Sequence, residues 1–263
     1  MARSVSDLGP HLDRKFGVIG RQPARCDTHG EYSAVMLRAG GVSGCPICAS
    51  DKRDMEELER KRFQFRTLQH ESAKIPKRFA DKSFASFVAS LPAQQVALDA
   101  CIEYVDNFSK HKREGRCMLL LGKVGTGKTH LACAILQCIV RNHGFSGLIV
   151  TAESITQAVT DSFRNNSGPT KTDLINELAS VDLLVIDEVG VHSVRPGKDF
   201  TPSLLHETID RRYQLVKPTI LVSNQKPEDL HSFIGPRAAD RLRENGGLLA
   251  PFTWKSARSG GSA

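Results

Sequence analysis

Gly122-Lys123-Val124-Gly125-Thr126-Gly127-Lys128-Thr129 decides how the rest of this chain is read. The stretch satisfies the phosphate-loop pattern GxxxxGKS/T at every fixed position. Met118-Leu119-Leu120-Leu121 before it reads as a buried strand, and His130 to Val140 after it reads as a buried helix. Strand, glycine loop and helix are the context the motif needs. The glycines let backbone N–H groups turn inward around phosphate oxygens. The helix that follows aims its positive end at the same anion. Lys128 can reach the outer phosphates, and the Thr129 hydroxyl can ligate Mg²⁺.

A second nucleotide signal lies about sixty residues on. Leu183-Leu184-Val185-Ile186-Asp187-Glu188 is an apolar strand ending in two acids. Asp187 at its tip is placed to hold Mg²⁺, and Glu188 to polarise an attacking water. Thr219-Ile220-Leu221-Val222-Ser223-Asn224 is another apolar strand with a polar end, where Asn224 can orient the same water. Leu148-Ile149-Val150-Thr151 reads as a strand and Ser154 as the N-cap of a helix reaching Phe163. Residues 92–109 read as one amphipathic helix with Val96, Ala100, Tyr104 and Phe108 on its buried side. Pro202 to Leu215 and Gly235 to Arg243 read as helices, the latter basic.

Upstream the composition changes. Residues 1–25 carry little pattern and read as loosely ordered. Cys26-Asp27-Thr28-His29 is followed by Cys45-Pro46-Ile47-Cys48, so Cys26, His29, Cys45 and Cys48 can supply four tetrahedral zinc ligands. A segment this poor in apolar residues cannot fold on burial alone, which makes the metal its core. Residues 51–73 are dense in charge, lack Pro and Gly, and read as an exposed connecting helix. The expected boundaries are a zinc module at 1–50, a charged helical linker at 51–73 and a nucleotide-binding domain at 74–263.

Hydrophobic residues make up 40% of the chain and charged residues 25%, enough apolar content for a sizeable core. Net charge is +7, which favours a polyanionic partner without specifying one. No apolar run approaches a membrane span, and Met1 to Asp7 lacks the apolar centre of a signal peptide. Four of the seven cysteines, Cys101, Cys117, Cys133 and Cys138, sit in apolar segments and read as small core residues in a reducing, cytoplasmic compartment.

The order of phosphate loop, acidic strand, polar strand end and late arginine helix resembles the AAA+ ATPases. Val181 to Val191, Asp161-Ser162-Phe163-Arg164-Asn165, Asp210-Arg211-Arg212 and Asp240-Arg241-Leu242-Arg243 resemble the DnaC helicase loaders and the IstB helper ATPases. The likeness covers roughly residues 75–258. The Cys/His cluster departs from the DnaC pattern, although some prophage relatives look similar there. The resemblance implies an α/β fold: an AAA+ domain with a mainly parallel five-stranded sheet and helices on both faces, preceded by the zinc module. It implies ATP held by Gly122 to Thr129, with Lys128, Asp187, Glu188 and Asn224 at the chemistry. It implies that Arg241 is an arginine finger given to a neighbouring subunit and that Arg258 is a second nucleotide sensor. Phe163 and Arg164 would face single-stranded DNA. The implied function is ATP-dependent loading of a hexameric replicative helicase onto single-stranded DNA, with ATP joining subunits and hydrolysis used as a switch. The alternatives are a transposition helper acting on duplex DNA, and a nucleotide-regulated DNA adaptor without significant hydrolysis. Glu188 argues against the adaptor, which has no need of a water-activating acid.

Overall fold

The alternation of the apolar strands on either side of the phosphate loop sets the architecture. In Met118–Gly122, Met118 and Leu120 face one hydrophobic core while Leu119 and Leu121 face another. A strand buried on both faces belongs in a sheet covered by helices on both sides. The computed structural model describes residues 17–164, 169–190 and 201–256, with 58–70 and 164 described by backbone alone. The chain divides into two compact units, Met1–Phe65 and Arg66–Ala263.

The first unit contains an antiparallel ribbon, β1 (Val18–Cys26) and β2 (Gly30–Leu37), and the start of a long helix, α1 (Pro46–Ser72). Cys26 pairs with Gly30 across a tight turn. The expectation of loose order up to residue 25 fails from Val18 onward. Gly20 and Pro23 hide this strand in the sequence. A two-stranded ribbon tolerates both, because each strand is an edge and needs few ladder donors.

The second unit carries five strands: β3 (Met118–Gly122), β4 (Gly147–Thr151), β5 (Leu183–Val189), β6 (Thr219–Ser223) and β7 (Leu248–Phe252). Their order is β4-β5-β6-β3-β7, and every pairing is parallel. The helices are α2 (Pro92–Asp106), α3 (Phe108–Glu114), α4 (Lys128–Arg141), α5 (Ala152–Arg164), α6 (Lys171–Ser180), α7 (Thr201–Gln214), α8 (Pro227–Ile234) and α9 (Pro236–Arg243). One core packs α2 and α4 on Met118, Leu120, Val185 and Ile220; the other packs α5, α7 and α9 on Leu119, Leu121, Leu184 and Leu221.

Three local expectations are corrected. The helix expected over 92–109 ends at Asp106, and a separate helix begins at Phe108. Its buried side is Ala97, Leu98, Cys101, Tyr104 and Val105, while Val96 is 65% exposed. Thr151 rather than Ser154 caps α5: the Ser154 N–H donates to Thr151 Oγ1 at 3.0 Å, and the Thr151 N–H donates back to Ser154 Oγ at 3.1 Å. This is a reciprocal capping box. Cys101, Cys117 and Cys133 are buried, and half-buried Cys138 packs against the core, as expected of small core residues.

At the entry end of the sheet, fully buried Arg212 on α7 acts as a clamp. Its Nε donates to Thr219 Oγ1 at 3.0 Å, Nη1 to the carbonyls of Leu178 and Val181, and Nη2 to that of Pro218 at 2.6 Å. The buried guanidinium is therefore satisfied by the end of α6 and the start of β6.

Candidate functional site

The phosphate loop joins β3 to α4 and is held from behind. β7 runs beside β3, and a Cβ on Gly122 would lie 2.1 Å from the Phe252 carbonyl oxygen, so only glycine allows this approach. Just past β7, the Trp254 indole N–H donates to the Thr126 carbonyl at 3.1 Å. Within the loop, Thr126 Oγ1 donates to the Lys123 carbonyl at 2.7 Å. The buried Lys128 ammonium donates to the carbonyls of Gly122 and Lys123, both at 2.7 Å. Loop and lysine thus form one preset cradle.

The same cradle opens into a cavity of about 430 Å³. Val124, Gly125, Gly127, Lys128 and Thr129 line one side; Asp187, Glu188, Ser223 and Asn224 line the other. The sheet order explains the meeting, since β6 lies between β3 and β5 and all three end on the same side. Burial pushes the Asp187 carboxyl above its usual range. The Glu188 N–H at 2.8 Å, the Thr129 hydroxyl and the Lys128 charge oppose that rise. A hydroxyl hydrogen-bonded to a carboxylate beside a phosphate cradle is a hard-oxygen pair that fits Mg²⁺. Glu188 and Asn224 are exposed to the cavity.

Other candidate residues lie elsewhere. Arg241 does not join Lys128: it pairs with Asp210 on α7, and its guanidinium lies 5.1 Å from the Tyr213 ring centre. That place, beside Cys117 and Thr219, is at the entry end of the strands, away from the phosphate loop. Phe163, near the end of α5, is 74% exposed. Arg164 is the last residue of that helix, and Arg258 lies outside the described residues.

In the first unit, the turn of the β-ribbon and the start of α1 bring Cys26, His29, Cys45 and Cys48 together. Their ligand atoms all lie within 4.8 Å of one another. His29 Nδ1 is 3.2 Å from Cys48 Sγ, 3.7 Å from Cys45 Sγ and 3.8 Å from Cys26 Sγ. The Cys26 and Cys48 sulfurs are 3.5 Å apart. A tetrahedron with Zn–S bonds of ~2.3 Å has edges of roughly 3.8 Å, so the donor set fits zinc. Backbone N–H groups of His29 and Thr28 pull the Cys26 thiol down to about 6, toward the thiolate a metal requires. The other ring nitrogen, Nε2, faces Asp51 Oδ2 at 3.5 Å.

Residues 53–240 match the family model described as "IstB-like ATP binding protein". The chain belongs to this family. It is 36% identical to the replicative helicase loader DnaC of Escherichia coli over 177 residues, covering 67% of this chain and 69% of that protein. The crystal structure of the DnaC helicase loader superposes with a TM-score of 0.59 at 23% identity, over 66% of this chain and 98% of that one. AMPPCP-bound DnaA from Aquifex aeolicus gives a TM-score of 0.53 at 26% identity, over 65% of this chain and 50% of that one. The fold is that of the AAA+ ATPases, and the family is one of ATP-binding proteins.

For this member of the family, several side chains around the two sites are not legible in the sequence. Arg78, Phe79 and Lys82, from the segment before α2, also line the cavity, and nothing in their spacing announces it. His130 bonds the Ser83 carbonyl at 2.8 Å and lies 3.2 Å from Ser86 Oγ, tying that arm to the first turn of α4. Trp254 follows β7 in a stretch without periodic pattern, so its bond to Thr126 has no local signal. Asp51 was masked by the charge run around it.

Proposed function

We propose that this protein is an ATP-dependent loader of a replicative DNA helicase onto single-stranded DNA. The observation that carries the reading is the 36% identity to a replicative helicase loader over 177 residues. The convergence of Lys128, Thr129, Asp187, Glu188 and Asn224 on one cavity supports its nucleotide half. In this reading Gly122 to Thr129 bind the ATP phosphates, and Thr129 and Asp187 hold Mg²⁺, which neutralises phosphate charge when bound. Glu188 accepts a proton from water as the water oxygen bonds the γ-phosphorus. Asn224 orients that water, and the bond to the bridging oxygen breaks with its electron pair leaving on ADP.

Hydrolysis serves as a switch. Arg241 faces away from its own cavity, as a group offered to the next subunit would, so ATP would hold subunits together. Arg258 would sense the nucleotide from the tail. Phe163 and Arg164 would meet DNA bases and phosphates. Residues 1–50 would form a zinc-binding module on Cys26, His29, Cys45 and Cys48, residues 51–73 a charged connector and residues 74–263 the ATPase domain. The protein's site of action would be the cytoplasm, where a replicative helicase works; among the described residues no helix is long and apolar enough to cross a membrane.

The test is capture of a hexameric replicative helicase from bacterial cytosol by the ATP-bound protein, with the Lys128→Ala variant as control. Capture by the parent and loss in the variant are expected. Recovery of a transposase with duplex DNA in place of the helicase would overturn the reading.

A further inference from the structure

The strand that carries Asp187 does not leave the sheet straight. Ile186 pairs with Leu221 and Val189 with Ser223, so Asp187 and Glu188 together oppose Val222 alone. Two residues facing one make a β-bulge, which bends its strand and re-aims a side chain. Glu188 sits in this bulge at φ +58°, a left-handed conformation that residues with a Cβ rarely adopt. Such a backbone persists only where its surroundings hold it.

β6 supplies the hold. The buried Ser223 hydroxyl donates to the Val189 carbonyl at 2.6 Å and accepts from the Gln225 N–H at 3.1 Å. The Gln225 side-chain amide then donates to the Gly190 carbonyl at 3.1 Å. Gly190 lies at φ +78°, and a Cβ there would come within 2.3 Å of Gln225 Cδ, so the amide is seated directly on the backbone. The two carbonyls after Glu188 are therefore both gripped by the residues flanking Asn224.

We propose that Ser223 and Gln225 are positioning residues for Glu188. They fix the bulge and thereby hold the Glu188 carboxylate over the phosphate cavity. The inference rests on the reading of Glu188 as the group that activates water. It also gives β6 a second role. Its end carries Asn224 in the cavity and, on either side, the bonds that set Glu188, so a shift of one strand end is passed to both water-orienting groups.

The test uses the full chain with Mg²⁺ and ATP under assembly conditions. Gln225→Met keeps the side-chain length and removes the amide; Ser223→Ala removes the hydroxyl; Ser223→Thr restores it. Steady-state ATPase is measured beside titration with a fluorescent ATP analogue. Gln225→Met and Ser223→Ala should each lower kcat about ten-fold while nucleotide affinity stays within about two-fold, and Ser223→Thr should recover most of the rate. Affinity falling in step with kcat, or an unchanged kcat, would overturn the inference. Should Ser223→Ala fail to fold, the half-buried Gln225 position carries the test alone. Glu188→Gln separates the two levels. If it hydrolyses at the parental rate, the reading of Glu188 falls and this inference with it. If it is inactive while Gln225→Met is normal, only the positioning role falls.

Discussion

The phosphate cradle and the Cys/His cluster are both built from a few polar residues brought close together, yet they are held by opposite means. The cradle rests on two hydrophobic cores, on β7 behind Gly122 and on the Trp254 bond to Thr126. Its lysine is preset by two loop carbonyls. Around the Cys/His cluster there are a short ribbon, one helix start and, among the described residues, few buried apolar side chains, Ala34 and Cys45 being two. Packing positions the first site; in the proposed zinc module, metal bonds to Cys26, His29, Cys45 and Cys48 would position the second. Ligand removal should therefore leave the cradle standing and collapse the cluster.

The largest effect is expected at the cluster. Metal analysis should find about one zinc per chain. Structural zinc contributes about 10–16 kcal/mol to small modules, so Cys45→Ser/Cys48→Ser should lose the metal and open residues 17–50 to protease. The melting transition of the ATPase unit should stay in place. Full zinc retention by the double variant would sink the ligand assignment.

Arg241 decides whether the cradle is complete within one chain. Arg241→Ala should bind ATP normally, because Lys128 and Thr129 remain, yet hydrolyse about 10³–10⁵-fold more slowly. Mixing it with Glu188→Gln should restore part of the rate, each variant supplying what the other lacks. No recovery, with co-assembly shown separately, would return Arg241 to its ion pair with Asp210.

A smaller effect is expected at Phe163, whose exposed ring has no part in either core. Stacking on a base contributes about 1–3 kcal/mol, so Phe163→Ala should weaken single-stranded DNA binding by about ten-fold or more. Binding should also fall with salt. Affinity indifferent to the substitution and to nucleotide would reject this surface.

The smallest tests the packed side of the comparison at Asp182, where β5 begins. Burial pushes its carboxyl up, but the Ser146 N–H and hydroxyl, Lys112 and Lys217 outweigh that and hold it below the usual range. A depressed folded pKa gives stability that is present above the unfolded value, about 3.9, and is lost as pH falls through the folded one. Asp182→Asn should cost about 1 kcal/mol at neutral pH, allowing for solvent screening, and nothing in strong acid. An equal loss at both pH values would assign the effect to shape rather than charge.

The same contrast explains how much of the molecule is legible in its sequence. The cradle was legible because GxxxxGKT and the run Leu183 to Glu188 carry chemistry and burial in consecutive residues. The Cys/His cluster is legible because each pair is local. β7 was not, because Leu248–Phe252 contains Pro251 and follows Gly246 and Gly247, a composition that reads as a turn. The break at Asn107 was invisible because the apolar spacing continues across it to Phe108. The Glu188 bulge and the Asp51 contact with His29 arise from register and from a helix start, which no single segment encodes.

The central claim is that nucleotide in the packed unit controls delivery of a helicase to DNA. A closed single-stranded DNA circle tests it most directly, since a ring helicase reaches it only by being opened. With purified replicative helicase, the parent protein and ATP should place helicase on the circle and start unwinding of an annealed strand. Lys128→Ala should place none, and Glu188→Gln should hold helicase there without releasing it to unwind. Equal unwinding with Lys128→Ala and with the parent protein would contradict the account.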